Sequence, residues 1–198
     1  MIDLEQEAVK RLSSSRFAHV RGVVEASIQL AQRYDVDVDK VRQAAWLHDM
    51  FRELSQSQLE ELAHLTGACV PAGPVAVWHG PICALRMAQD FGINDEDVKE
   101  AVKWHTIGHP EMGDVAQVLY VADAIEKGRS FPLVDTLRAA SQICLPLAVA
   151  VVTDASLNHL LNKHDQIDLL TVQLRNKAWS LVTQDHRQWF DRQRFPTN

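Results

Sequence analysis

The sequence predicts an all-α fold, and three observations favour it. Apolar residues recur at the three- and four-residue spacing of amphipathic helices through most of the 198-residue chain. Val, Ile and Thr lie inside these helical patterns and do not alternate with polar residues, as they would in half-buried strands. Ser, Asp, Gly and Pro stand where helix caps and first turns are expected. We therefore expect a helical bundle without a sheet.

Capping residues divide the chain into helices. Ser13, Ser14 and Ser15 suit the N-cap of the second helix, Gly67 ends the fourth, and Pro81 fits the first turn of the fifth. The segment around Pro71, Gly73 and Pro74 is predicted to be a loop. The second predicted helix begins at one of the serines at 13–15 and runs to about residue 34. In chain order, the other predicted helices span residues 2–12, 39–54, 55–65, 81–92, 95–105, 114–125, 133–143, 145–161 and 168–190.

Length and composition limit the class of protein. A chain of 198 residues with 46% hydrophobic content suits one domain, which we place over residues 1–198. The formal net charge of −6 gives no sign of a nucleic-acid-binding surface. The three cysteines form no CxxC pair, and no apolar run is long enough to span a bilayer. We predict a cytoplasmic protein that binds neither nucleic acid nor membrane and that could form a homodimer.

The stretch DKVRQAAWLHDMFREL at residues 39–54 carries the strongest chemical signal. Its inward, apolar stripe continues to His48, which is followed at once by Asp49. An unpaired buried carboxylate is costly, so Asp49 must meet a cation, hydrogen-bond donors or solvent. A metal ion held together with His48 would satisfy both groups.

Three more histidines and one more aspartate occupy comparable positions. His19 and His105 continue the inward stripes of their helices, and His79 lies in a loop just ahead of the helix opened by Pro81. Asp123 is a single acid within the apolar run VLYVADAI. Any one of these could be a hydrogen-bonded core residue. Together they offer nitrogen and oxygen ligands without thiolate, and more of them than one tetrahedral site would use, so we infer a site for two divalent metal ions.

The ordered pattern H…HD…H…H…D resembles the HD-domain superfamily of metal-dependent phosphohydrolases. More narrowly, HGP at 79–81, HTIGHPEM at 105–112 and YVADAIEKGRSFPLVD at 120–135 resemble a bacterial subfamily, the symmetrical diadenosine tetraphosphate hydrolases. The resemblance covers about residues 17–152 and leaves a C-terminal helical extension, about 168–195, outside it. It implies an HD-domain helical bundle with a two-metal site in its core, and hydrolysis of a dinucleoside tetraphosphate into two nucleoside diphosphates.

Position by position, the resemblance implies a set of metal ligands and a reaction. Asp49 would bridge two ions through its two oxygens, and a metal-activated hydroxide would attack the second phosphorus of the substrate. Iron is usual in this subfamily, while manganese and other transition metals suit the same ligands. The implied metal ligands are His19, His48, Asp49, His79, His105 and Asp123.

Candidate substrate contacts lie close to these ligands. Arg52 could reach a phosphate from the helix that carries Asp49, or it could simply pair with Asp49. Lys127 and Arg129 flank a glycine turn that could approach a phosphate, or they are solvated surface charges. His109, where similar proteins often carry Arg, could bind phosphate when protonated.

The remaining assignments keep alternatives open. Phe131 could stack on a base or pack under the turn, and His159 with His164 is interpreted as part of a solvated helix end. The C-terminal extension could close over the core or pack on a second subunit. Other functions that fit the ligand pattern are a different HD-domain nucleotide phosphohydrolase or nucleotidase, a di-iron oxygenase, and a non-catalytic nucleotide-sensing module.

Overall fold

Helices form all the regular structure of the computed structural model, which describes residues 2–71 and 73–194. No strand occurs within these residues, so the all-α prediction is confirmed. Met1, Ala72 and residues 195–198, which the single-domain prediction includes, lie outside the described residues, as does the last position of the predicted extension. None of the described helices is long and apolar enough to cross a membrane.

Most helix boundaries lie within a few residues of their predicted positions. A 3-10 turn at Val75–Trp78 interrupts the predicted loop after residue 71. In chain order, the helices are α1 (Leu4–Arg11), α2 (Ser14–Tyr34), α3 (Val38–Leu47), α4 (Gln56–Thr66), α5 (His79–Phe91), α6 (Glu96–Trp104), α7 (Asp114–Ile125), α8 (Val134–Ala140), α9 (Leu145–Lys163), α10 (Leu169–Leu181) and α11 (Gln184–Arg194).

Side-chain caps explain where several helices begin and end. The Ser13 hydroxyl accepts a hydrogen bond from the Arg16 amide at the start of α2. Ser55 and Gln58 form a reciprocal capping box at the start of α4, and Gly67 ends that helix in the left-handed conformation. These caps fix the helix ends locally, before any long-range packing is considered.

Helix α7 forms the centre of the bundle. It packs against α2, α3, α6, α8 and α9, and its residues Val115, Ala116 and Val118 to Ala122 are buried. A helix that is apolar on nearly every side belongs in a core. Asp123, near the end of α7, is therefore held at a fixed place in the bundle, facing α2.

The prediction that the third helix reaches residue 54 is wrong, because α3 ends at Leu47. The chain continues in tight turns, in which the amide of Met50 donates to the carbonyl of Leu47 and the amide of Arg52 to that of Asp49. In a continuous helix, successive side chains point about 100° apart, so His48 and Asp49 would diverge. The turn allows both side chains to face the interior.

The single helix predicted for residues 168–190 is also wrong, because the structure divides it into α10 and α11. Val182 between them is extended and buried, and the Thr183 hydroxyl accepts a hydrogen bond from the His186 amide to cap α11. Leu174 and Phe190 belong to the hydrophobic core. The extension therefore closes over the core of its own chain.

Gly108 provides a test of this packing. Its φ of +73° is unfavourable for other residues, and a Cβ atom there would overlap the Leu174 side chain of α10. Gly108→Ala should lower the free energy of unfolding by about 2–4 kcal/mol, from backbone strain and overpacking together. Gly67 is the matched control, because its φ is +63° but a Cβ atom there would meet no other atom within 4 Å. Gly67→Ala should cost only about 1–2 kcal/mol.

Urea unfolding of the two variants measures this difference directly. Equal losses of stability would show that α10 does not pack against the loop at Gly108.

Candidate metal centre

The six predicted ligand side chains meet where α2, α3, α5, α6 and α7 converge. Asp49 lies at their centre, in the turn that follows α3, and its side chain is only 5% exposed. His79 is the first residue of α5 and is buried, so the prediction that a loop presents it is wrong. The six side chains are supplied as follows: His19 by α2, His48 and Asp49 by the end of α3, His79 by α5, His105 by the end of α6 and Asp123 by α7.

The two carboxylate oxygens of Asp49 face different histidines. Oδ1 lies 3.1 Å from Nε2 of His79 and 3.9 Å from Nε2 of His105. Oδ2 lies 3.5 Å from Nε2 of His48 and 3.8 Å from Nε2 of His19. Two triads of potential ligands therefore share Asp49, and within each triad the ligand atoms lie within 4.8 Å of one another.

Helix ends orient two of the histidines. Nδ1 of His48 donates to the carbonyl of Ala45 (2.7 Å), and Nδ1 of His105 donates to the carbonyl of Val102 (2.8 Å). Both carbonyls belong to the last turn of a helix, where the backbone has no helical donor for them. Because Nδ1 carries the proton, the lone pair of a neutral ring lies on Nε2, which faces Asp49.

The donor set fits divalent metal ions. Nε2 of His48 is buried and has no hydrogen-bond partner among the residues that the structure describes, which is costly unless another group takes up its lone pair. Burial, together with the neighbouring His79 and His48 rings, lowers the pKa of His105 to about 3, so this ring is neutral as a ligand must be. Imidazole nitrogens and carboxylates without thiolates suit iron, manganese and zinc.

The carboxylates of the centre are ionised. Burial alone would raise the pKa of Asp49, but the adjacent His48 and His79 rings hold it well below its usual range. Burial likewise opposes ionisation of Asp123, while His19 and Arg129 lower its pKa. The negative charge of these two side chains is the reason that cationic groups collect around them.

Arg16 is a member of this centre that sequence reasoning missed. Its Nη1 donates to Oδ2 of Asp49 at 3.0 Å, and its side chain remains 30% exposed. The available signal was its spacing, because Arg16 lies one turn before His19 and so shares the same helix face. Arg16 therefore fixes the Asp49 carboxylate from the solvent side.

A cavity of about 640 Å³ adjoins the metal centre. Two of the predicted ligands, His105 and Asp123, form part of its wall. Arg129 and Phe131, from the turn after α7, form another part. His159 of α9 is exposed to solvent and also lines the cavity, although the sequence assigned it to a solvated helix end. The volume lies in the range of pockets that hold small-molecule ligands.

The structure separates the candidate substrate contacts into two groups. Arg129 lines the cavity and donates from Nε to the Asp123 carbonyl (2.8 Å) and from Nη2 to its carboxylate. Phe131 lines the cavity with 37% of its surface exposed. Lys127 instead pairs with Glu25 of α2 at 2.6 Å and is not part of the cavity wall.

Arg52 and His109 also lie off the cavity wall. Within residues 2–71 and 73–194, the Arg52 side chain forms no ion pair or hydrogen bond, so the alternative Arg52 to Asp49 pair is not formed. The ring of His109 stacks on Trp104 with 4.7 Å between centroids, and its Nδ1 accepts a hydrogen bond from the Glu111 amide. Arg16, and not Arg52, contacts the Asp49 carboxylate.

The sequence matches known proteins in the region that builds this centre. The HD-domain family matches residues 16–128. A Staphylococcus aureus protein named symmetrical bis(5'-nucleosyl)-tetraphosphatase is 35% identical over 66% of this chain and 69% of its own length. This chain belongs to the HD-domain family of symmetrical bis(5'-nucleosyl)-tetraphosphatases. A Bacillus subtilis tetraphosphatase of the same name is 30% identical over 80% of this chain and 86% of its own.

A solved structure shares the fold of this HD-domain protein. It is described as an HD superfamily hydrolase involved in NAD metabolism, from Clostridium acetobutylicum. The two chains superpose with a TM-score of 0.83 at 28% identity, over 89% of this chain and 95% of the other. The match extends beyond the residues covered by the HD-domain family.

The shared position of Asp49 leads to a prediction about metal stoichiometry. Asp49→Ala should bind neither of two Mn²⁺ ions with wild-type affinity, because Asp49 belongs to both triads. His105→Ala should lose one ion and keep the other, because His105 belongs to one triad. Equilibrium dialysis measures the stoichiometry, and circular dichroism checks that the helical fold is retained.

His64→Ala, on the exposed face of α4, is the matched control and should bind two ions. An Asp49→Ala protein that binds two ions would rule out the shared carboxylate.

Proposed function

We propose that this protein hydrolyses diadenosine tetraphosphate to two ADP at a centre of two divalent metal ions. The observation that supports this most directly is the buried carboxylate of Asp49, which two triads of potential ligands share. Two other proposed ligands, His105 and Asp123, line a cavity that also has an arginine on its wall. Membership of the tetraphosphatase family supplies the substrate class, since the relatives from S. aureus and B. subtilis carry that name. The reaction cleaves one phosphoanhydride bond with one water.

The proposed metal ligands are the six residues predicted from the sequence, and iron is the metal that we favour. When bound, two such ions would supply an activated water and would stabilise negative charge on phosphoryl oxygens. The triad His19, His48 and Asp49 would hold one ion and the triad Asp49, His79 and His105 the other. We propose that Asp123, whose Oδ1 lies 3.1 Å from Nε2 of His19, completes the first group.

Arg129 is the phosphate contact that the structure favours. Its guanidinium lies on the cavity wall beside Asp123, with 36% of the side chain exposed. A planar guanidinium can offer two parallel N–H groups to phosphoryl oxygens, and it already holds Asp123 through two atoms. Arg129 can therefore orient the polyphosphate against the metal ligands.

We assign the rest of the cavity to one nucleoside of the substrate. Phe131 offers an exposed aromatic face, to which a base can bind by stacking. Another part of the wall comes from α9, where His159 contributes a polar ring. A mostly apolar cavity with a few polar groups is typical of nucleotide and cofactor sites. A cytoplasmic location and a homodimer stay predictions from the sequence.

Product analysis tests this function. The protein, purified with its native metal, is incubated with diadenosine tetraphosphate, and the products are separated by chromatography. ADP should be the sole product, and activity should be lost on chelation and recovered with Fe²⁺ or Mn²⁺. AMP with ATP would place the attack on another phosphorus, and a free nucleoside or oxygen consumption would indicate a nucleotidase or an oxygenase. Binding of the dinucleotide without turnover would indicate a sensing module.

Arg129→Ala should lower kcat/KM for diadenosine tetraphosphate by about 10–100-fold, the range expected for loss of a charge-assisted hydrogen bond. Because Arg129 also holds Asp123, the metal content of the variant must be measured with the kinetics. Arg42→Ala is the matched control, since Arg42 pairs with Asp39 on the exposed face of α3, away from the cavity wall. Equal kinetics for both variants, at full metal occupancy, would remove Arg129 from the substrate site.

A further inference from the structure

Glu126 is a buried acidic residue that is neither a proposed metal ligand nor a proposed substrate contact. It follows α7 directly and is only 3% exposed. Its Oε1 lies 3.1 Å from Nδ1 of His19, and its Oε2 accepts a hydrogen bond from the Gly128 amide at 2.6 Å. A buried carboxylate is costly unless its oxygens are bonded in this way. Both oxygens of Glu126 are thus committed, one of them to a proposed metal ligand.

The surroundings of Glu126 leave little room for it to move. A Cβ atom on Gly22, one turn beyond His19 on α2, would overlap Oε2 of Glu126. The absence of a side chain at Gly22 therefore lets the carboxylate lie against the α2 backbone beneath the His19 ring. The sequence signal for this contact is weak, because the two residues lie far apart in the chain.

The turn that carries Glu126 is fixed from α8. Arg138 donates to the carbonyls of Ile125 (3.1 Å), Glu126 (3.0 Å) and Arg129 (3.0 Å). Three backbone carbonyls held by one guanidinium define the path of the chain from α7 to the cavity wall. Both Glu126 and Arg129 are therefore presented by a backbone with little freedom.

The position of His19 within α2 explains why its Nδ1 needs a side-chain hydrogen-bond acceptor. His48 and His105 donate from Nδ1 to carbonyls in the last turns of α3 and α6. His19 lies in the body of α2, where the carbonyls accept helical hydrogen bonds instead. A carboxylate from another part of the chain is the alternative acceptor, and Glu126 supplies it.

We propose that Glu126 is the positioning residue for His19. Glu126 accepts a hydrogen bond from Nδ1, so that Nε2 faces Asp49 and Asp123. Nε2 lies 3.8 Å from Oδ2 of Asp49 and 3.1 Å from Oδ1 of Asp123. A hydrogen bond to the second ring nitrogen fixes the orientation of a metal-binding imidazole and raises its basicity. This inference rests on the proposed metal centre but not on the identity of the substrate.

Glu126→Gln tests the inference with almost no change in shape. A glutamine has one acceptor oxygen, so it cannot accept from both Nδ1 of His19 and the Gly128 amide. Affinity for Mn²⁺ at the triad of His19, His48 and Asp49 should fall about 10–100-fold. The triad of Asp49, His79 and His105 should keep its ion.

Electron paramagnetic resonance during a Mn²⁺ titration reads out the result. The wild-type protein should give the spectrum of a spin-coupled pair, and Glu126→Gln should give that of a single ion at the same metal concentration. Glu25→Gln is the matched control, because Glu25 also lies on α2 and pairs with Lys127 of the same turn, but in solvent. This control should give the wild-type spectrum.

A wild-type titration for Glu126→Gln would overturn the proposal. Equal weakening of both sites, with a lower melting temperature, would also overturn it, because it would indicate a structural role for Glu126. Should Glu126→Gln fail to fold, Gly22→Ala tests the same contact, because its Cβ atom would displace the Glu126 carboxylate and should give the same selective loss. A wild-type protein that binds two Mn²⁺ ions but leaves diadenosine tetraphosphate intact would refute the proposed function and not the role of Glu126.

Discussion

The buried carboxylate of Asp49 is the group on which the arrangement of this protein depends. Its two oxygens face separate pairs of histidines, so one short side chain relates residues from four helices. An ionised carboxylate in a protein interior requires compensating charges or hydrogen bonds. Arg16 supplies one from solvent, and Nε2 of His79 lies within hydrogen-bonding distance of Oδ1, at 3.1 Å. The helices that carry ligands are held in place by apolar packing, in which α2, α3 and α6 pack against α7, and α5 packs against α6.

Three histidines reach the same orientation by different local means. Where a helix ends, its last carbonyls are free, and the rings of His48 and His105 use them. His19 lies within a long helix and donates instead to the distant carboxylate of Glu126. The early end of α3 at Leu47 is thus part of the site, because a longer helix would turn Asp49 away from His48 and occupy the carbonyl of Ala45.

The sequence was sufficient for the fold class, because the fold class depends on local periodicity, and the six residues proposed as metal ligands lie close together in the structure. His48 and His105 continue apolar stripes, and Asp123 interrupts one, so their inward position follows from helical geometry. Arg16 and Glu126 were not found, since their partners Asp49 and His19 are distant in the chain, and His159 was assigned to a solvated helix end although it lines the cavity. The breaks at residues 47 and 182 depend on packing and on side-chain caps, and periodicity alone does not show them. Lys127 was a candidate substrate contact from the sequence, but it pairs with Glu25 and does not line the cavity.

Anomalous scattering from crystals loaded with Mn²⁺ or Fe²⁺ would locate the metal ions relative to Asp49. Two peaks are expected, about 3.5–4 Å apart, with Asp49 between them and one histidine pair beside each. One peak, or two peaks of which Asp49 contacts only one, would contradict the shared carboxylate and the two-metal mechanism that rests on it.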